Sequence, residues 1–142
     1  ALLTALILDE LAAQAPRREK SKPRQQHPPA TESALIDKAN LFIRGHLHED
    51  LSVERVAKHC AYSPSHFRNL YRRRMGLSLG AYIREMRISR AQELLSSSDL
   101  NITEIAYAVG YRSVYAFSAA FKKMTGTPPL RYRRALEKRK PG

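Results

Sequence analysis

From residue 31 onward the apolar positions recur every three or four residues, and no stretch alternates in the manner of a strand. The first such segment begins at Ser33, a residue type suited to capping a helix, and sets Leu35, Ile36, Ala39, Phe42 and Ile43 along one face. Near its end His46 and His48 form an H-x-H pair. Residues two apart on a helix point to different sides, so ordinary surface histidines are expected rather than a metal site. A longer pattern covers residues 79–97: Ser78 reads as its cap, and Leu79, Tyr82, Ile83, Met86, Ala91, Leu94 and Leu95 return at helical intervals. Some 18 residues at 1.5 Å each make a connecting helix of about 27 Å. At the other end of the chain, Leu3, Ile7 and Leu11, widened by Leu2, Leu6 and Leu8, predict a helix over residues 1–15. That helix is either a stub from the core of an upstream domain or a dimerisation helix.

Sliding the chain along itself uncovers a repeat. At a shift of 49, Leu51-Ser52-Val53-Glu54-Arg55-Val56-Ala57 falls on Leu100-Asn101-Ile102-Thr103-Glu104-Ile105-Ala106, and Tyr62 falls on Tyr111. At a shift of 50, Ser63 meets Ser113, Phe67 meets Phe117, Tyr71 meets Phe121, Arg72-Arg73 meet Lys122-Lys123, Gly76 meets Gly126 and Tyr82 meets Tyr132. One unit has been used twice, with a one-residue insertion in its turn. Two copies are too few for a solenoid, which needs about three or more.

Each copy holds a short helix with a polar cap, Ser52 or Asn101, then a turn at Cys60-Ala61-Tyr62 or Gly110-Tyr111-Arg112, then a second helix. Gly110 suits a tight turn that requires positive φ; Ala61 suits it less well. The second helix of the first copy starts at Ser63-Pro64, a cap followed by proline at the first helical position, and buries Phe67, Leu70 and Tyr71. Two short helices and a tight turn make a helix-turn-helix. The expected fold is all-α: two helix-turn-helix subdomains of homeodomain-like form, over about 52–74 and 101–124, joined by the connecting helix.

Charge then directs attention to the second helix of each pair. The chain of 142 residues carries 25 Lys+Arg against 13 Asp+Glu, a net charge of +12. Residues 31–142 hold +10 of it; residues 16–30, a Pro-, Lys-, Arg- and Gln-rich stretch that reads as a linker, hold +4. The first candidate recognition helix carries Ser63, Ser65, His66, Arg68, Asn69, Arg72, Arg73 and Arg74, and the second carries Arg112, Ser113, Val114, Tyr115, Ser118, Ala119, Lys122 and Lys123, with no acidic residue in either. Polar side chains near such a helix's start reach base edges in a major groove, while basic residues toward its end meet phosphates.

Other classes find no support. A lone cysteine, Cys60, makes no internal disulfide, and Ala1 to Leu8 is far too short to span a bilayer. Ala13-Gln14-Ala15 imitates a signal-peptidase site but lacks a basic segment before it. No Gly-rich phosphate loop or H-E-x-x-H occurs, and neither the Glu85 and Glu93 pair nor His59 beside Cys60 forms a catalytic set, so no enzyme and no cofactor is expected. A chain starting at Ala1 is expected to be a fragment or a processed product.

The second half of the chain contains Ile102-Thr103-Glu104-Ile105-Ala106-Tyr107-Ala108-Val109-Gly110-Tyr111, Ala116-Phe117-Ser118-Ala119-Ala120-Phe121-Lys122-Lys123, Gly126-Thr127-Pro128-Pro129 and Tyr132-Arg133, and upstream stand Ser63-Pro64-Ser65-His66-Phe67, Gly76, Tyr82-Ile83, Arg87-Ile88, Ala91 and Leu94-Leu95. On these residues the sequence, over about 33–134, resembles the DNA-binding domain of the AraC/XylS family of bacterial transcription regulators. It implies a DNA-binding domain over 31–137, with base-facing residues Ser65, Arg68 and Asn69 in the first module and Val114, Tyr115, Ser118 and Ala119 in the second. Ala119 stands where the family often has arginine, and Ala116 and Ala120 leave the second helix short of long donors. An alternative therefore stays open, in which only the first module reads bases and the second clamps or bends the duplex. The implied partners are double-stranded DNA, RNA polymerase and, through the upstream residues, a second copy of the chain. The implied setting is cytoplasmic, with no membrane partner.

Overall fold

A computed structural model of the chain describes residues 31–139, and the helix expected over 1–15 and the linker over 16–30 lie outside them. The described residues form seven α-helices and no strand, in agreement with the all-α expectation: α1 Glu32–Gly45, α2 Val53–His59, α3 Pro64–Met75, α4 Leu79–Ser97, α5 Ile102–Ala108, α6 Val114–Thr125 and α7 Pro129–Arg139. None of the described helices is long and apolar enough to cross a membrane.

Local chemistry sets most of these boundaries. Side chains of Ser52, Ser63, Ser78, Asn101 and Ser113 each accept a hydrogen bond from the backbone N–H three residues on, satisfying a donor that the first turn leaves unpaired. At α5 the Glu104 carboxylate also accepts the Asn101 N–H at 2.8 Å, completing a reciprocal cap. Only α1 departs from the expected start. It begins at Glu32, so Ser33 lies inside the first turn and Thr31, another residue of capping type, precedes it.

The turns inside the two pairs share one geometry. After α2 the Tyr62 N–H donates to Ala57 O and the Ala61 N–H to Lys58 O; after α5 the Tyr111 N–H donates to Ala106 O and the Gly110 N–H to Tyr107 O. This crossed pattern requires a left-handed residue, supplied by Gly110 at φ +101° and, in the first copy, by Ala61 at φ +61°. The poorer residue has thus been forced into the geometry the repeat dictates. Left-handed backbone costs a residue with a Cβ about 1–2 kcal/mol, against about 0.5–1 kcal/mol of extra chain entropy for glycine. Ala61→Gly is therefore expected to stabilise the domain by up to about 1 kcal/mol, as an upward shift of the urea midpoint at unchanged slope.

Two separate cores form among the described residues. The first gathers α1, α2, α3 and the start of α4 around Ile43, Val56, Phe67, Leu70 and Tyr71; the second gathers the end of α4 with α5, α6 and α7 around Ile88, Leu95, Ile105, Phe117 and Phe121. The connecting helix serves both, but with different faces. At 100° per residue, Leu79, Tyr82 and Ile83 point one way, while Ile88, Ala91 and Leu95 point almost directly away from them. The single apolar stripe expected for residues 79–97 is really two stripes that change sides after Met86.

A guanidinium closes the junction after α4. Arg133, from α7, donates to the carbonyls of Leu95 at 3.1 Å, Leu100 at 2.6 Å and Ser98 at 3.2 Å, taking up acceptors that the helix end leaves open. Near the end of α1, His46 Nδ1 lies 2.7 Å from Phe42 O and its ring stacks on Phe42 at 4.1 Å, while His48 is exposed. His59 stacks on Phe42 as well, and burial, with the nearby charges of Lys38 and His46, lowers its pKa. No group of side chains among the described residues is arranged to hold a metal ion.

Candidate nucleic-acid interface

The second helix of each pair has one buried face and one open face. In α3, Phe67, Leu70 and Tyr71 are buried, so the helical period points Ser65, Asn69 and Arg72 the opposite way, flanked by Arg68 on one side and His66 and Arg73 on the other. All six are exposed. In α6, Phe117 and Phe121 are buried, and Tyr115, Ala119 and Lys122 occupy the matching outward positions, with Ser118 and Lys123 on the flanks. Tyr115 is 83% exposed.

Not every candidate residue stands free. Val114 is half-buried against the second core, which leaves little of it to meet a base. Ser118 is half-buried too. Ser63 and Ser113 serve as caps, their oxygens accepting the His66 and Ala116 N–H groups at 3.3 and 3.1 Å. Such a hydroxyl keeps its own proton to donate to a phosphate. His66 lies against the Tyr62 ring, with centroids 5.0 Å apart, which orients it from the turn.

The basic residues differ in what they already hold. Arg73 and Arg74 reach back to Glu32 at the start of α1, at 3.1 and 3.8 Å, and Arg112 pairs with Asp50 at 3.0 Å. Arg112 and Asp50 are 85% and 88% exposed, and exposed pairs contribute only about 0–1 kcal/mol, so none withholds its arginine from a phosphate. Asp50 received no role from the sequence. It lies in the loop between α1 and α2, 62 residues before its partner, and only the fold brings the two together.

The first turn of each of these helices holds no acidic residue, and the last turn is basic: Arg72, Arg73 and Arg74 in α3, Lys122 and Lys123 in α6. Polar or small side chains along the front and cations toward the back suit an approach to double-stranded DNA by the helix's N-terminal part. Concave pockets offer nothing comparable. The two described are open surface depressions, one lined by Ser96, Ser97, Asp99 and Arg133 and the other by Met86, Met124 and Tyr132, without a convergent set of reactive groups.

Comparison with known proteins agrees. The helix-turn-helix domain family matches residues 46–135. The chain is 31% identical over 139 residues to the arabinose operon regulatory protein of Escherichia coli, covering 97% of this chain and 46% of that one. It is 35% identical over 109 residues to the MmsAB operon regulatory protein of Pseudomonas aeruginosa, covering 76% and 36%. It is 32% identical over 102 residues to the transcriptional activator AarP of Providencia stuartii, covering 72% and 76%. The chain thus spans less than half the length of the first two. Among solved structures it is similar to the C-terminal domain of the response regulator AraT of Geobacillus stearothermophilus, at 36% identity and a TM-score of 0.70, covering 75% of this chain and 88% of that one. It is likewise similar to the DNA-binding domain of the global transcriptional factor AdpA, at 30% identity and a TM-score of 0.71, covering 75% and 96%. With two helix-turn-helix units in one chain and relatives named as transcription regulators, the chain belongs to the AraC/XylS family, and its described helices are a transcription regulator's DNA-binding domain.

Proposed function

We propose that α3 and α6 enter adjacent major grooves of one asymmetric promoter site. The observation that carries this reading is the matching register of two open, acid-free helix faces, Ser65/Asn69/Arg72 and Tyr115/Ala119/Lys122. The AdpA domain was solved in complex with a target DNA, which supports the same partner for this chain. Two inequivalent modules in one protomer remove the two-fold symmetry behind palindromic operators, so the site is non-palindromic over about 16–20 base pairs. Arg68, Asn69 and Ser65 read bases in the first half-site, and Tyr115, Ala119 and Ser118 face bases in the second. Arg72, Arg73, Arg112, Lys122 and Lys123 meet phosphates. Contact with RNA polymerase and self-association through the upstream residues belong to the same proposal for the whole protein, and rest on the family likeness.

The test uses a duplex selected from a random pool by the native protein. Arg68→Ala is expected to weaken binding to it by roughly 1–3 kcal/mol and to relax preference at one base pair, whereas Lys122→Ala weakens selected and random duplexes alike and flattens the salt dependence by about one phosphate contact. Equal losses for Arg68→Ala on both duplexes would remove the base-reading role. A second reading is favoured by the scarcity of donors on α6: the first module alone reads sequence, and the second clamps the backbone. Tolerance of every base substitution under α6 selects that version. Ala119 in contact with a thymine methyl group predicts intolerance at one position instead.

A further inference from the structure

Although each module closes its own core, the two meet at a small polar seam. The turn that carries Gly110 lies against the loop between α1 and α2 so closely that a Cβ placed on Gly110 would sit 2.1 Å from the Leu47 carbonyl oxygen and 2.8 Å from Arg87 Nε. Backbone thus packs directly on backbone, across 63 residues of chain. Arg87, from the middle of α4, fills the same junction. Its Nε donates to Leu47 O at 3.1 Å, one Nη donates to Glu49 O at 2.9 Å, and the guanidinium lies over the Tyr111 ring, 5.9 Å from its centroid. Arg112 adds its ion pair with Asp50, and Arg55 of α2 holds the Glu49 carboxylate from the other module's side. Arg87 is half-buried, with both loop carbonyls satisfied by its fork, a geometry that a lysine ammonium does not reproduce.

Without this seam α4 alone would hold the modules together. Helices bend, and over a rod of 19 residues, about 28 Å long, a tilt of roughly 10° displaces the far end by about 5 Å, more than the 3.4 Å rise of one base pair. A single helix is too compliant to fix which base each recognition helix meets. We propose that Arg87 and Gly110 are positioning residues: the seam they form sets the separation and angle between α3 and α6, and so the spacing of half-sites that the domain accepts. This inference rests on the two-groove reading above.

The experiment measures binding of the native domain, Arg87→Met, Arg87→Lys and Gly110→Ala to three probes: the selected duplex, the same duplex with one base pair inserted between half-sites, and a duplex holding only the first half-site. The native domain is expected to lose at least about 30-fold on insertion, and Arg87→Met about 10-fold on the selected duplex while losing only about 3-fold more on insertion. Affinity for the single half-site stays within 2-fold of native, and Arg87→Lys behaves like Arg87→Met. Gly110→Ala, strained by its φ as well, shows the same loss of discrimination. Full spacing discrimination in Arg87→Met, an equal loss on the single half-site, or rescue by Arg87→Lys, which would mark a plain charge contact with DNA, would each overturn the proposal. Indifference of the native domain to the insertion would instead overturn the two-groove reading, and the inference with it.

Discussion

Phe117→Ala is expected to lower the unfolding free energy by about 3–5 kcal/mol and to open the second module while the first stays folded. The ring is fully buried, with centroids 5.6 Å from Tyr111 and 5.7 Å from Phe121, so truncation leaves a cavity at the meeting point of α4, α5 and α6. A domain of this size has a total stability of about 5–15 kcal/mol, and the second core has fewer buried side chains than the first to share the loss. Phe67→Ala, at the equivalent place of the first module, removes the same ring from a core that also includes α1. The two substitutions therefore separate in hydrogen exchange. Phe117→Ala strips protection from α5 and α6 before α2 and α3, and Phe67→Ala does the reverse. Uniform loss of protection in both variants would show that α4 couples the cores into a single cooperative unit.

Arg133→Met comes next in expected size, at about 2–4 kcal/mol. Methionine keeps much of the aliphatic bulk but has no donor, leaving the carbonyls of Leu95, Ser98 and Leu100 without the charge-assisted bonds they receive from one guanidinium. At roughly 4 °C or more per kcal/mol for a domain of this length, the melting midpoint falls by about 10 °C. Arg133→Lys recovers only part of it, since one ammonium on a flexible stem does not span acceptors spread over six residues. A midpoint within 2 °C of native for Arg133→Met would mean that water serves those carbonyls as well as arginine does.

What the sequence showed plainly was whatever is local. The caps at Ser52, Ser63, Ser78, Asn101 and Ser113 involve contacts three residues apart, and the duplication places matching turns where the chain shift changes from 49 to 50. The positive φ of Ala61 was the one local feature its residue type argued against, and there the repeat was the better guide. Nonlocal features stayed hidden. The α4 stripe reads as continuous because Leu79, Tyr82, Ile83 and Met86 keep one period; Ile88, half a turn out of step with them, marks where the buried face changes. Helix α7 was not foreseen, although Pro129 at its first position is a recognised start signal. For the candidate interface, the exposed faces of α3 and α6 followed from periodicity, whereas the half-burial of Val114 depends on how closely α6 lies on the second core. Asp50 beside Arg112 and Arg87 against Leu47 involve separations of 62 and 40 residues, which no pattern of spacing reports.

A helix gripped from opposite sides at its two ends behaves as a crankshaft. One extra residue between Met86 and Arg87 would spare both hydrophobic clusters yet swing one half of the domain by about 100° against the other. Seven extra residues, nearly two full turns, would restore that rotation but lengthen the shaft by about 10 Å, drawing the Gly110 turn and Arg87 off the Leu47 carbonyl. No insertion at that point therefore preserves both the rotation and the reach of the shaft, and its length is locked by the contacts on either side of it.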